Sequence, residues 1–164
     1  MESARKLADE LKESCAFPVE AGESVEDALR DADLIVTVTN STEAVVRREW
    51  VSDGAHINAV GSCTPNTREL DAATVAESSM VVDSVESTVN EAGDYLRALR
   101  EGVIGPEHIR AELGEVLKGT KPGRTSDGEI TLFKSLGLAV EDLAAAEYLY
   151  RKSKETGAGT WVRF

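Results

Sequence analysis

Only two of the 164 residues are cysteine, and aromatic residues make up just 5% of the chain. Cys15 and Cys63 are too few for a disulfide framework, so the fold must rest on an apolar core. Basic residues are also scarce: 18 Lys and Arg stand against 30 Asp and Glu, a net charge of −12. Such a chain repels polyphosphates and anionic headgroups, which argues against nucleic acid or membrane surfaces as partners. No apolar run approaches the roughly 18–20 residues that span a bilayer. Residues 1–15 are charged throughout, unlike a secretory leader. A cytoplasmic location is the expectation. A last absence is the phosphate loop of a dinucleotide-binding unit, Gly-x-Gly-x-x-Gly. The thirteen glycines are scattered, and none lies in the first twenty residues.

What is present alternates. Residues 2–14 place Ala4, Leu7, Ala8 and Leu11 on one helical face. FPVEAG (17–22) reads as a short strand. Ser24 and Asp27 form a near capping box for a helix running to about Ala32. LIVTVT (34–39) is continuous and β-branched, as suits a strand buried on both faces. EAVVRREWV (43–51) reads as a helical turn or two, and HINAV (56–60) as the next strand. A helix over 67–78, a strand over MVVDS (80–84) and a helix over 85–100 broken near Gly93-Asp94 follow. This order predicts an α/β fold, a parallel sheet with crossover helices. The final third reads as an amphipathic helix over 109–119, a Gly/Pro/Ser-rich loop, a strand or turn over 130–137, and a long helix over 138–154. A loose tail is expected after Gly157-Ala158-Gly159.

In open α/β sheets ligands sit at the carboxyl ends of strands. Thr37 and Thr39 close one strand, and Val60-Gly61-Ser62 close the next. Hydroxyls and backbone N–H groups there suit a ribose or a nicotinamide. Thr is equally a good strand residue and Gly a good turn residue, so both readings stay open. Cys63 follows the second strand end, with no neighbour in sequence to lower its thiol pKa. His56 and His108 lack metal-ligand spacing, and no metal site is expected. Lys134 and Ser135 belong either to a strand surface or to a site. Glu91 and Asp94 read as a solvated helix face.

Several segments together resemble the ornithine cyclodeaminase/mu-crystallin family: ADLIVTVTNSTEAVV, GAHINAVGSCTPNTRELD, VVDSVEST and AELGEVLKGTKPGRTSDGEITLFKSLGLAVEDLAAA. The resemblance runs in order from Ser3 to Tyr150. It implies a Rossmann domain that binds NAD or NADP, and a second domain that covers the substrate and forms a homodimer. Over this chain it implies a partial Rossmann-type sheet in 1–104 and, in 105–164, C-terminal helices of the second domain. It implies hydride transfer between nicotinamide and a carbon that bears nitrogen beside a carboxylate, in a small amino acid or cyclic imine. It assigns Thr37, Asn58, Ala59, Val60, Gly61 and Ser135 to the cofactor.

Two departures accompany it. Where cyclodeaminases of the family carry a catalytic Asp, this chain has Cys63, a mostly neutral thiol at pH 7 and a poor proton shuttle. Cys63 is therefore the candidate catalytic position, and an imine reductase or amino-acid dehydrogenase is favoured over ornithine cyclodeaminase. A non-catalytic ligand-binding or interaction module of mu-crystallin type is the other alternative. Met1 falls inside the family pattern, so a fragment is expected. On that expectation the chain alone binds NAD(P)H poorly and does not turn over, and LIVTVT becomes an exposed apolar edge.

Overall fold

The computed structural model describes residues 2–162; Met1, Arg163 and Phe164 lie outside the described residues. The expectation about the start of the chain, and the last residues of the loose tail, therefore fall on residues not described.

Strands β1 (Leu34–Thr37), β2 (His56–Ala59), β3 (Ser79–Val82), β4 (Ile109–Glu112) and β5 (Thr131–Lys134) form a five-stranded sheet in the order β1-β2-β5-β3-β4. Every pairing is parallel. The α/β sheet with crossover helices read from the sequence is the fold observed. Three short helices beside the sheet start at polar N-caps. Ser24 accepts from the Asp27 N–H to start α2 (Val25–Leu29), Asp71 from Thr74 to start α3 (Ala72–Glu77), and Ser84 from Ser87 to start α4 (Val85–Glu91). The remaining helices are α1 (Glu2–Leu11), α5 (Gly93–Arg100), α6 (Leu113–Leu117) and α7 (Ala139–Thr156).

The sheet has unequal faces. Ile35, Ile57, Leu132, Met80 and Val82 are buried in a core cluster that also takes in Val75 of α3 and Tyr95 and Ala98 of α5. The other face carries Leu34, Val36, His56, Asn58, Val81 and Phe133. There Leu34 and Val36 are 59% and 58% exposed. β1 is an outer strand, and its residues 34 and 36 are exposed, so the expected burial of LIVTVT on both faces is not observed.

Several local expectations change. FPVEAG forms no strand: residues 18–22 have no ladder partner among the described residues, and a lone extended segment has nothing to pair its backbone with. Residues 67–71 are not helical. Val45 and Val46 donate to the Glu69 carbonyl and Asp71 N–H to that of Val46, so the backbone there is extended, and α3 begins only after its Asp71 cap. The 109–119 helix is split: Ile109–Glu112 joins the sheet beside β3 as β4, and only Leu113–Leu117 is helical. Its apolar residues satisfy both periods over so short a span. The 43–51 segment reduces to a 3-10 turn, Arg48–Trp50. Strands β4 and β5, the latter central, follow residue 104 and belong to the same sheet as β1, β2 and β3.

Candidate functional site

Register brings the strand ends level. Thr37 stands beside Ala59, Ala59 beside Lys134, Lys134 beside Val82, and Val82 beside Glu112. Beyond this row the chain leaves the sheet through Val38-Thr39, Val60-Gly61-Ser62, Ser135-Leu136 and Asp83-Ser84. The exits of β1 and β2 are open to solvent at Val38, Thr39, Val60 and Cys63. This edge gathers Thr37, Ala59, Val60, Gly61 and Ser135. Asn58 is one residue short of it and points to the opposite face. Its Oδ1 lies 3.3 Å from His56 Nε2, on the wall of an open groove of about 580 Å³ also lined by Val81, Leu113, Val116 and Phe133.

Three carboxylates order the edge. Glu69 is fully buried. It accepts from Thr37 Oγ1 at 2.8 Å, from Gly61 N–H at 3.0 Å and from Thr39 N–H. The Thr37 hydroxyl is thus committed inward. Gly61 is needed for space: a Cβ there would collide with the Thr39 carbonyl oxygen and the Glu69 carboxylate. Asp94, on the first turn of α5, accepts from the Glu69 and Leu70 N–H groups at 2.7 and 2.9 Å. Its other oxygen lies 3.7 Å from Lys134 Nζ, which donates to the carbonyls of Ala59 (3.2 Å) and Gly61. Burial pushes the Asp94 carboxyl above its ordinary pKa, against the pull of the Leu70 N–H, Lys134 and the Glu69 N–H. Asp83 orders the β5 exit, accepting from Leu136 and Gly137 N–H at 2.6 and 2.7 Å and from Ser135 Oγ at 3.3 Å.

Asp94 is therefore no solvated helix face, and Lys134 no surface residue; neither side chain is exposed. Position gave one signal for Lys134. Strand alternation puts it on the same side as Leu132, the inward side. Little local marks Glu69 or Asp94: apart from Gly61, eight residues before Glu69, their hydrogen-bond partners lie 24–32 residues away in sequence.

Cys63 is exposed, with Sγ 3.3 Å from the Val60 carbonyl oxygen and no acid or base among its hydrogen-bond partners. It follows Ser62, a non-glycine residue at φ 55° whose Oγ is buried without a partner. His108 offers Nε2 to the Val75 carbonyl at 2.8 Å. Among the described residues no cluster of His, Cys, Asp and Glu could hold a metal ion, and no helix is long and apolar enough to cross a membrane.

The family model described as "Ornithine cyclodeaminase/mu-crystallin family" matches residues 1–157. A Δ1-pyrroline-2-carboxylate reductase of Bacillus cereus is 42% identical across 99% of this chain and 50% of its own length. The Thermococcus litoralis Δ1-pyrroline-2-carboxylate reductase, solved with NADH and L-proline, superposes with a TM-score of 0.92 at 43% identity, over 98% of this chain and 50% of that one. An archaeal alanine dehydrogenase dimer with bound NAD gives a TM-score of 0.87 at 36% identity, over 99% and 50%. The chain thus spans about half the length of the relatives it matches.

Proposed function

Because this chain belongs to the ornithine cyclodeaminase/mu-crystallin family, we propose that it carries the nicotinamide side of the NAD(P) site of a reductase or dehydrogenase acting on cyclic imines or amino acids. The observation behind this reading is the level carboxyl edge. Thr37, Val60, Gly61 and Ser135 gather there around solvent-open exits, in a chain more than 40% identical to two pyrroline-2-carboxylate reductases.

The residues present fit that half of a dinucleotide. The exits of β1 and β2 are lined by small, uncharged groups, and the buried Ser62 hydroxyl has no partner in the structure. Val60, Gly61 and Ser135 would hold the nicotinamide end, where the bound cofactor supplies or accepts hydride, while Thr37, its hydroxyl given to Glu69, would fix the β1 exit beside them. Ala59 backs the edge from the core. Asn58 faces the groove on the opposite face, so its support for a cofactor is indirect, through the strand.

Cyclodeamination is the weaker reading, because Cys63 places no carboxylate at the exit of β2. Reduction of an imine asks less of a proton carrier at that position than loss of ammonia does. The pyrophosphate grip of a glycine loop is not in this sequence. The 164 residues by themselves are therefore expected to bind NADH weakly, roughly in the millimolar range, and not to turn over. The test is an NADH titration of the isotope-labelled chain by NMR. Shifts confined to Val38, Val60, Gly61 and Ser135 are expected; a chain silent up to several millimolar, or shifts centred on the groove at Val81 and Phe133, would overturn the reading.

A further inference from the structure

We propose that Glu69 is a positioning residue, which sets the spacing between the exits of β1 and β2 and so shapes the edge that receives the nicotinamide end. The inference rests on the functional reading above. Its own ground is the geometry of one carboxylate that bridges two loops.

The Glu69 side chain reaches across from the segment that precedes α3. One oxygen, Oε2, takes both the Thr37 hydroxyl of β1 and the Gly61 N–H of the β2 exit. The other, Oε1, takes the Thr39 N–H of the β1 exit. Both loops are thereby hung from a single group with no exposed surface. The loops meet in backbone as well, since Ser62 N–H donates to the Thr39 carbonyl at 3.3 Å. A neutral amide cannot reproduce the arrangement. In either orientation Gln would aim its NH2 at a backbone N–H, donor against donor.

The clamp is itself clamped. Asp94 fixes the Glu69 backbone, and Lys134 answers the Asp94 charge while gripping the Ala59 and Gly61 carbonyls from the neighbouring strand. A group meant only to fill the core needs no such support. A group meant to hold two exits at a set distance does, because any freedom in its own backbone passes directly to the loops.

The inference is tested by amide hydrogen exchange and NADH titration on the labelled chain, for the native protein and for Glu69→Gln, Thr37→Val and Thr37→Ser. In Glu69→Gln, exchange at Thr39 and Gly61 is expected to accelerate about tenfold or more, with Ile57 and Met80 within about twofold of native. NADH-dependent shifts at Val60 and Gly61 should fade. Thr37→Val removes one donor from the clamp and should give a smaller change of the same pattern, while Thr37→Ser keeps the hydroxyl and should restore native behaviour. If Glu69→Gln does not fold, the Thr37 pair decides. Equal acceleration at loop and core amides would mean a general structural role and would overturn the proposal, as would native exchange in Thr37→Val. A native chain that ignores NADH overturns the functional reading. A native chain that responds, with variants responding identically, overturns this inference alone.

Discussion

Lys134 Nζ and Asp94 Oδ2 lie 3.7 Å apart beneath the carboxyl edge of the sheet, and neither side chain touches solvent. One comes from the central strand and the other from the first turn of α5, so the pair ties the sheet to the helix layer that covers it. Desolvating two charges is costly, and their attraction offsets the cost only while both are present.

Removing one partner is therefore expected to hurt far more than removing both. Lys134→Met should lower unfolding free energy by about 3–5 kcal/mol in urea titrations. The double variant Lys134→Met/Asp94→Asn should recover a large part of that loss. A double variant no more stable than Lys134→Met would mean the Asp94 charge is not what is costly.

The raised Asp94 pKa has a sign that can be checked. Between its ordinary value and the raised one, the folded chain keeps a proton that the unfolded chain has released. Stability contributed by the neutral form thus declines as pH rises through that interval. Asp94→Asn should remove this decline from the stability profile and leave the alkaline limb as it was.

Glu129 behaves in the opposite way. Ser79 Oγ, the Thr125 N–H, Arg110 and the Thr125 hydroxyl all donate to its carboxylate, which brings its pKa from 4.5 down to about 2. Its contribution to stability is complete above 4.5 and is lost as pH falls from there toward 2. Glu129→Gln should lower stability at pH 7 and flatten the acid limb of a thermal-melt series. An unchanged acid limb would refute the assignment.

Gly61→Ala tests the closeness of the two exits. A methyl group there meets a carbonyl oxygen and a carboxylate that are both held in place. A loss of about 1–3 kcal/mol is expected on overpacking grounds. Gly114→Ala, where an added Cβ meets nothing within 4 Å, is the control and should be close to neutral.

Leu34 and Val36 of the outer strand β1, with Val38 just past its end, form an exposed apolar row at 59%, 58% and 69% exposure. Open edges of this kind recruit further strands. Val36→Lys should reduce concentration-dependent light scattering with little change in the melting temperature. Equal scattering by both chains would mean association runs through another surface, such as Leu143 and Leu149 of α7.

The sequence was most legible where apolar residues ran together. LIVTVT and HINAV are strands within a residue or two of their expected limits, because β-branched continuity has few alternatives in a parallel sheet. Ile109–Glu112 was not legible, since four residues do not distinguish the two periods. The strand ends at Thr37 and Val60-Gly61 could be picked out as turn chemistry. The carboxylates that order them could not, because a buried charge looks like any other Asp or Glu until its distant partner is known. Glu69, Asp94 and Lys134 depend on contacts that only the folded chain creates.

Strand β5 lies between β2 and β3, although it is the last of the strands in the chain. The β1-β2 and β3-β4 pairs are therefore joined only through residues 131–134, which also bring Lys134 to Asp94. Closing the sheet needs contacts distant in sequence, so folding is expected to be slow for a chain of this size.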